Sequence, residues 1–426
     1  MLKQLGLLGL AHVAAAKWTA PPEYALDKTD NGLFFTDGNG DPFFWQADTA
    51  WMLTHRLNWT ETETYFADRV AKGYNVILSV GVPQFGIKPP NRNGDTVFVD
   101  EDISQPNEAY WSYVDDVVQL AWEEYGLRIA LVPAWGSYAN SGANPSLITA
   151  DNGEAFGRFI GERYPYLPKI LFGDTNPFWA NSNAIRDEYR AGGVLNVWPS
   201  TDFRPVWDAV ANGIVAGERA VIGDDNDGYV PLITMHARNQ WMPDAPIALA
   251  SANLGDRDYL TLDTAQSGHA DTPPNPPIPW WNARRGYETV ERMWNASLTS
   301  GKPLPVIDNE PHYERRWSRK NDAVKLPWNA SEVRVGTWQT AFCGAAGITY
   351  GNDNIWQMYS PAFNEHEEGG TPLPWYESIL DPGAAMMQYV KQAILDRGAK
   401  SFARRVPAQD IIVGSAGKSA QPTHRF

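Results

Sequence analysis

The stretch that decides the fold reads Lys302-Pro303-Leu304-Pro305-Val306-Ile307-Asp308-Asn309-Glu310-Pro311-His312-Tyr313-Glu314. Its first two prolines prevent a helix, and the Val306-Ile307 pair favours a strand. Pro311 cannot continue in a central strand, so Glu310 is predicted to lie where the strand ends. In a β/α barrel, catalytic groups lie at the carboxyl ends of the strands. The alternative is that Glu310 is a solvated loop acid, and this stretch alone leaves both interpretations open.

Strand and helix patterns alternate on both sides of this stretch. Two apolar runs, 32–35 and 42–46, flank the turn sequence Asp37-Gly38-Asn39-Gly40-Asp41 and predict an N-terminal β-hairpin. From Phe43 onward the patterns predict eight strands, most of them followed by a helix, which matches a (β/α)8 TIM barrel better than a doubly wound sheet. The predicted strands cover about 43–51, 74–80, 128–136, 169–177, 231–236, 259–269, 302–310 and 347–351, and the predicted helices about 60–73, 107–125, 152–163, 205–217, 285–299, 332–346 and 381–396.

The composition limits the size of the domain and the class of partner. A chain of 426 residues with 43% hydrophobic content can bury a large core, and we see neither an internal repeat nor a domain-sized linker. Residues 17–426 are therefore predicted to form a single barrel domain with a short C-terminal tail. A net charge of -15 argues against nucleic acid and anionic membranes as partners. The 19 Trp and 18 Tyr favour a carbohydrate partner, although packing alone could also explain them.

The first sixteen residues have the pattern of a cleavable secretory signal. One early lysine precedes an apolar run, and small residues precede Lys17, where the mature chain is predicted to begin. Three sequons, at Asn58, Asn295 and Asn329, fit a secreted, extracellular glycoprotein, but whether they carry glycans stays open. Cys343 is the single cysteine, so no intrachain disulfide can form, and its apolar neighbours predict a helix in the core. A disordered cytosolic leader is the alternative for the first residues.

Polar and aromatic residues follow the predicted strands and should share one face of the barrel. Asp174 and Glu310 follow the fourth and seventh strands, and two carboxylates in such positions can bracket a glycosidic bond. This pairing predicts glycosidase chemistry. Candidate substrate-binding residues at the same face are Asp48, Trp51, Trp135, Asn176, His236, Gln266, Ser267, His269, Tyr313 and Trp356.

Four segments, in this order, resemble the signature segments of the apiosidase-like glycoside hydrolases of the family 140 type. The similarity extends from about residue 31 to about residue 414. Relatives often have a further β-sandwich after the barrel, and no binding role of such a module is carried over to this chain. The segments are Pro42-Phe43-Phe44-Trp45-Gln46-Ala47-Asp48-Thr49-Ala50-Trp51, Leu171-Phe172-Gly173-Asp174-Thr175-Asn176-Pro177, Gln266-Ser267-Gly268-His269 and Asp308-Asn309-Glu310-Pro311-His312-Tyr313-Glu314.

This resemblance implies a (β/α)8 barrel and a retaining mechanism, with Asp174 as acid/base and Glu310 as nucleophile. It also implies an enzyme that acts on side chains of plant or microbial polysaccharides, since release of apiose from pectin side chains is the known activity. The loops 81–105 and 270–279 could adapt the pocket to another sugar. We expect burial and the neighbouring Glu310 to raise the pKa of Asp174, so that it is protonated and can donate to the leaving oxygen.

Some assignments stay open at this stage. Asp308 or Glu314 could be the nucleophile if the strand ends elsewhere, and Asp48 could accept a substrate hydroxyl or be a structural acid. Each of the other substrate-binding candidates could equally be a satisfied core or rim side chain. A metal-dependent hydrolase is disfavoured because the seven histidines show no ligand spacing, so we expect no metal and no cofactor. A non-catalytic sugar-binding barrel remains possible, and we expect a monomer.

Overall fold

The computed structural model describes residues 18–140, 146–175, 177, 202–223, 228–236, 249–268, 286–317, 326–363, 366 and 369–408. The predicted signal at 1–16, the candidates Asn176 and His269, and the loop 270–279 lie outside these residues. The described part has mixed α/β architecture, with a curled parallel sheet surrounded by helices.

A small antiparallel sheet precedes the barrel. Its strands are β1 (Leu26–Lys28), β2 (Phe35–Asp37) and β3 (Pro42–Phe43), paired in that order. The predicted hairpin is β2 and β3, and its prediction is confirmed. The Asp37 carboxylate closes the turn by accepting hydrogen bonds from the backbone nitrogens of Asn39 at 2.9 Å and Asp41 at 3.1 Å.

Nine further strand segments occupy the eight positions of the barrel. The fourth position is shared by two short segments that are separated by Leu171. The strand segments are β4 (Trp45–Thr49), β5 (Val76–Val82), β6 (Arg128–Trp135), β7 (Lys169–Ile170), β8 (Phe172–Gly173), β9 (Ile233–Thr234), β10 (Asp263–Ala265), β11 (Val306–Asp308) and β12 (Gly347–Tyr350).

Hydrogen bonds between backbone segments close the barrel. Parallel pairing runs from β12 through β4, β5, β6 and β7 to β9, and β10 pairs separately with β11. Between β9 and β10, Thr261 N donates to Ile233 O at 3.0 Å; between β11 and β12, Ala346 N donates to Val306 O at 2.8 Å. The two sheets thereby form one ring, which confirms the predicted barrel.

Helices surround the ring, and several begin with a side-chain cap. In α2 the cap is Asn58: its side chain accepts from Glu61 N at 3.0 Å, and the Glu61 carboxylate accepts from Asn58 N at 2.9 Å. The helix predicted to begin at about residue 60 begins at Trp59, because Asn58 caps it. The helices are α1 (Leu53–Arg56), α2 (Trp59–Ala71), α3 (Glu108–Glu123), α4 (Ala150–Arg163), α5 (Arg204–Ile222), α6 (Ala250–Leu254), α7 (Gly286–Thr299), α8 (Ala330–Phe342), α9 (Trp375–Ser378), α10 (Pro382–Met386), α11 (Gln388–Leu395) and α12 (Ala399–Phe402).

Two predicted helices are shorter than expected. The one predicted for 332–346 ends at Phe342, because Gly344 has a φ of 99° and turns the chain into β12. Cys343 is buried, as expected, but it lies just after the helix instead of within it. The last predicted helix, 381–396, is divided into α10 and α11 at Met387.

The backbones of α4 and α5 touch through glycines. A Cβ added to Gly157 would lie 2.1 Å from Val210 O, and one added to Gly161 would lie 2.2 Å from Ile214 O. From the other side, a Cβ on Gly213 would lie 2.2 Å from Glu154 O. No larger side chain fits these positions, so the two helices that flank the fourth strand position are held at backbone contact.

None of the helices in the described part of the chain is both long and apolar enough to cross a membrane.

Candidate active site

The carboxyl ends of the parallel strands bring four of the predicted residues to one face. Asp174 follows β8 directly, Gln266 follows β10 directly, and His236 and Glu310 are each the second residue after β9 and β11. Parallel strands of a barrel end at the same rim, so these side chains converge. Asp174 is partly buried, whereas only 5% of Glu310 is exposed.

The amide of Gln266 lies between the two carboxylates. Its Nε2 donates to Glu310 Oε1 at 2.6 Å and to Asp174 Oδ1 at 3.4 Å. The separation of these two oxygens cannot exceed the sum of the two distances, which is 6.0 Å. The acids predicted from separate strands therefore face each other across a single amide group.

Glu310 is also contacted on its second oxygen. His236 Nε2 lies 2.5 Å from Glu310 Oε2, and the imidazole is fully buried. Tyr313 lies close to the same carboxylate, and its pKa is raised well above the ordinary value, first by burial and then by the charge of Glu310. The Tyr313 ring fits against Gly351, where an added Cβ would lie 2.1 Å from Cδ1. Polar groups on three sides thus fix the orientation of Glu310.

The backbone around Asp174 is constrained. Asp174 has a φ of 44°, a left-handed conformation that costs a non-glycine residue energy and is often found at functional sites. The next residue, Thr175, accepts at Oγ1 a hydrogen bond of 3.0 Å from Asn140 Nδ2. A Cβ on Gly136 would lie 2.2 Å from Thr175 Cγ2, so the loops after β6 and β8 fit together without spare room.

Two of the predicted tryptophans pack against each other, and Trp51 also packs against His236. The Trp51 ring lies 6.0 Å from the Trp135 ring and 5.3 Å from the imidazole, centroid to centroid. Trp135 rests on Gly173, where an added Cβ would lie 2.3 Å from Trp135 Cε3. Trp356 packs elsewhere at the rim: it stacks on Phe85 at 6.1 Å, and its backbone oxygen accepts from Met52 N at 3.1 Å.

Two predicted substrate-binding residues are engaged in structural contacts. Asp48 is fully buried and points to α2, where its Oδ2 accepts from Tyr65 Oη at 2.6 Å and from Arg69 Nε at 2.5 Å. Of the two roles considered for Asp48, these contacts fit the structural acid and not the acceptor of a substrate hydroxyl. Ser267 donates to Asp308 through both its backbone nitrogen, at 3.2 Å, and its hydroxyl.

The two other acids of the deciding stretch have partners away from Asp174. Asp308 is held by Ser267, and burial raises its pKa to about 7, with a further contribution from Glu310 that also raises it. Glu314 accepts from Tyr350 Oη at 2.6 Å and from Gly383 N at 3.1 Å. Glu310 is thus the acid of this stretch that shares a hydrogen-bond donor with Asp174.

One cluster was not predicted. The Arg56 guanidinium lies 4.3 Å from the Phe85 ring centroid and 4.8 Å from that of Phe363, and its Nη1 donates to Gln357 O at 2.9 Å. Phe85 belongs to the loop 81–105 that we expected at the active site, so the sequence of this loop contained a signal from which the cluster could have been predicted. The strand-end criterion missed Arg56, because it lies in α1, beyond the end of β4.

The described residues contain no group of three or more His, Cys, Asp and Glu arranged to hold a metal ion. The groups that can carry out chemistry here are the two carboxyl groups. Glu310 is almost fully buried among hydrogen-bond donors, and Asp174 is closer to solvent. Such a pair can divide the roles of nucleophile and proton donor.

Comparison with known families gives a match over most of the chain. The family model described as "Apiosidase-like, catalytic domain" matches residues 29–400. No curated protein matches the chain significantly.

Glycoside hydrolases are among the solved structures of similar fold. One, described as "Glycoside hydrolase", has 27% identity and a TM-score of 0.72, and the match covers 93% of this chain and 80% of that one. A glycoside hydrolase family 5 protein from Bacteroides vulgatus has 25% identity and a TM-score of 0.73, over 94% of this chain and 77% of that one. A third, from Bifidobacterium longum, has 11% identity and a TM-score of 0.50, over 85% of this chain and 80% of that one, and shows similarity of fold alone.

Proposed function

The chain belongs to the apiosidase-like family of glycoside hydrolases, and from that premise we propose that it cleaves its substrate by a retaining double displacement with Asp174 as acid/base and Glu310 as nucleophile. The observation that carries this proposal is the shared amide of Gln266, which limits the separation of one oxygen of each acid to 6.0 Å. Retaining enzymes place their carboxyl groups about 5–5.5 Å apart, whereas inverting enzymes need about 6.5–9.5 Å to accommodate a water.

The surroundings of each acid fit its proposed role. Glu310 has donors at both oxygens, which favours the ionised form that attacks the anomeric carbon. Asp174 is more open to solvent and is the acid that can meet a leaving oxygen and later an entering water. In the first step the bond from the anomeric carbon to Glu310 forms while the leaving oxygen departs with the proton of Asp174. In the second, Asp174 takes a proton from water, whose oxygen replaces Glu310.

We further propose a secreted enzyme that acts on side chains of plant or microbial polysaccharides. The match to the apiosidase-like family supports a carbohydrate substrate, and Trp51 and Trp135, although almost fully buried, add aromatic groups near His236. The sequence of residues 1–16 supports secretion, and N-terminal sequencing of secreted material is expected to begin near Lys17. Secreted material that retains residues 1–16 would contradict the predicted cleavage.

The two acids can be told apart by chemical rescue. We suggest Asp174→Gly, because glycine tolerates the φ of 44° and leaves room for azide. Without its general acid this variant should be slow on substrates with a sugar leaving group but much less impaired on activated aryl glycosides. Azide should accelerate it and give a glycosyl azide of retained configuration.

Glu310→Ala should be slow with both kinds of substrate, because the covalent intermediate cannot form whatever the leaving group. Any azide product of this variant should have inverted configuration. Asp396→Ala, at an exposed carboxylate beyond α11, is the matched control and should keep full activity. If Asp174→Gly gave the inverted azide and Glu310→Ala the retained one, the roles of the two acids would be the reverse of those proposed. Full activity in both variants would show that neither acid is catalytic.

A further inference from the structure

We propose that Gln266 is a positioning residue that joins the acid and the nucleophile and shifts its stronger hydrogen bond from one to the other as negative charge moves between them. This inference rests on the catalytic pair proposed above. It assigns to Gln266 a role different from the substrate contact predicted from the sequence.

The first argument is the match between one amide group and two acceptors. The Gln266 Nε2 has two hydrogens, and the two acids supply one acceptor oxygen each, at 2.6 Å for Glu310 and 3.4 Å for Asp174. The opposite orientation would point the amide oxygen at two acids and would be repelled whenever either is ionised. The shorter of the two bonds goes to the acid that is ionised before reaction, as expected for a charge-assisted hydrogen bond.

The second argument is that the backbone of Gln266 is tied to the segment that carries Glu310. Asn309 N donates to Ala265 O at 2.8 Å, and Gly268 N donates to Glu310 O at 3.0 Å. Between these bonds lies the contact of Ser267 with Asp308. A Cβ on Gly268 would lie 2.2 Å from the carbonyl carbon of Pro311, so the two segments touch. The extensions of β10 and β11 therefore hold Gln266 beside Glu310 without help from substrate.

The third argument follows the charge through the reaction. Before reaction the negative charge is on Glu310, and Asp174 carries the proton. After the first step Glu310 is an ester and Asp174 is the carboxylate, so the better acceptor has changed sides. The Gln266 amide can then strengthen the hydrogen bond from its second N–H to Asp174, and it neither gains nor loses a proton in doing so. A donor fixed to Glu310 alone would stabilise only one of the two states.

Other groups besides Gln266 also stabilise and orient Glu310, and they limit how much activity the loss of Gln266 can remove. His236 lies on Oε2, Tyr313 and Asp308 act on the same carboxylate through their charge or hydrogen bonding, and Asp174 faces the amide from the other side. Loss of Gln266 should therefore impair catalysis and shift its pH dependence without abolishing it.

The test is the pH dependence of kcat/KM in Gln266→Met and Gln266→Glu. The Met variant keeps the size of the side chain and lacks the donor, so we expect kcat to fall about 10- to 100-fold with little change in KM. Its acidic limb should move up by about one pH unit, since ionised Glu310 loses a donor. In the Glu variant the alkaline limb should move to lower pH, because the new carboxyl group can donate only while it is protonated.

The matched control is Gln46→Met, which removes another fully buried amide, one that donates to Lys72 O at 3.2 Å. It should lower stability and leave the pH profile in place. If Gln266→Met raises KM and leaves kcat and both limbs unchanged, Gln266 is a substrate ligand. If it merely lowers stability and scales the whole profile, its role is structural. Either result overturns the inference, and the azide experiments on Asp174 and Glu310 would still stand on their own.

Discussion

Asp48→Asn tests whether this acid belongs to the core or to the site. Asp48 and Arg69 form an ion pair with 0% and 1% of their side chains exposed, and Arg69 Nε lies 2.5 Å from Asp48 Oδ2. Removal of the negative charge leaves Arg69 buried beside a neutral amide. Loss of one partner of a buried pair costs about 3–5 kcal/mol. Asparagine still offers an oxygen to Tyr65 and Arg69, so we expect the free energy of unfolding to fall by about 3 kcal/mol, the lower end of this range.

The assay is urea unfolding followed by tryptophan fluorescence, together with kcat/KM of the folded variant. Asp68→Asn is the matched control, because Asp68 contacts the same guanidinium at Nη1 but is 21% exposed. Its loss should cost about 1 kcal/mol or less. Both variants, once folded, should keep the kcat and KM of the parent enzyme. An Asp48→Asn variant of unchanged stability with a tenfold higher KM would refute the reasoning and return Asp48 to the substrate site.

Three other predictions concern pH, packing and metal. Folding raises the pKa of Asp308 from 3.8 to about 7, so the folded protein binds this proton more tightly than the unfolded chain does. The free energy of unfolding should therefore fall as pH rises from about 4 to about 7, by up to about 1.4 kcal/mol per pH unit. The free energy of unfolding of Asp308→Asn should lack this slope. Gly173→Ala should displace the Trp135 ring and lower kcat/KM at least tenfold, whereas Gly228→Ala, which meets no atom within 4 Å, should be neutral in the same assay. EDTA should leave activity unchanged, because the seven histidines show no ligand spacing; activity that is lost and then restored by added metal would contradict this.

The fold could be predicted because its signals are local and repeated. Apolar runs with β-branched residues, separated by amphipathic segments, indicated each barrel position, and Pro311 marked where β11 had to stop. The same rule predicted that Asp174 and Glu310 would lie close together, since polar residues at the ends of parallel strands meet at one rim. A position relative to a strand end is the kind of information that a sequence pattern contains.

The direction of a side chain is less accessible. Asp48 lies within β4, but its side chain turns toward Arg69, which is 21 residues further along the chain, in α2. The contact of Ser267 with Asp308 likewise depends on the register between β10 and β11, which pairs Ala265 with Asp308. Neither register nor the choice between inward and outward can be read from one strand, because both are decided by the partner.

The glycine contact between α4 and α5 also bears on how this protein can change. Strand β8 ends at Gly173, directly before Asp174, and α5, which begins at Arg204, rests with its backbone on that of α4. The two helices that flank the fourth strand position are therefore spaced by contacts to main-chain atoms, and any side chain at these glycines would push them apart. A library that seeks activity on new sugars should therefore keep Gly157, Gly161 and Gly213 constant.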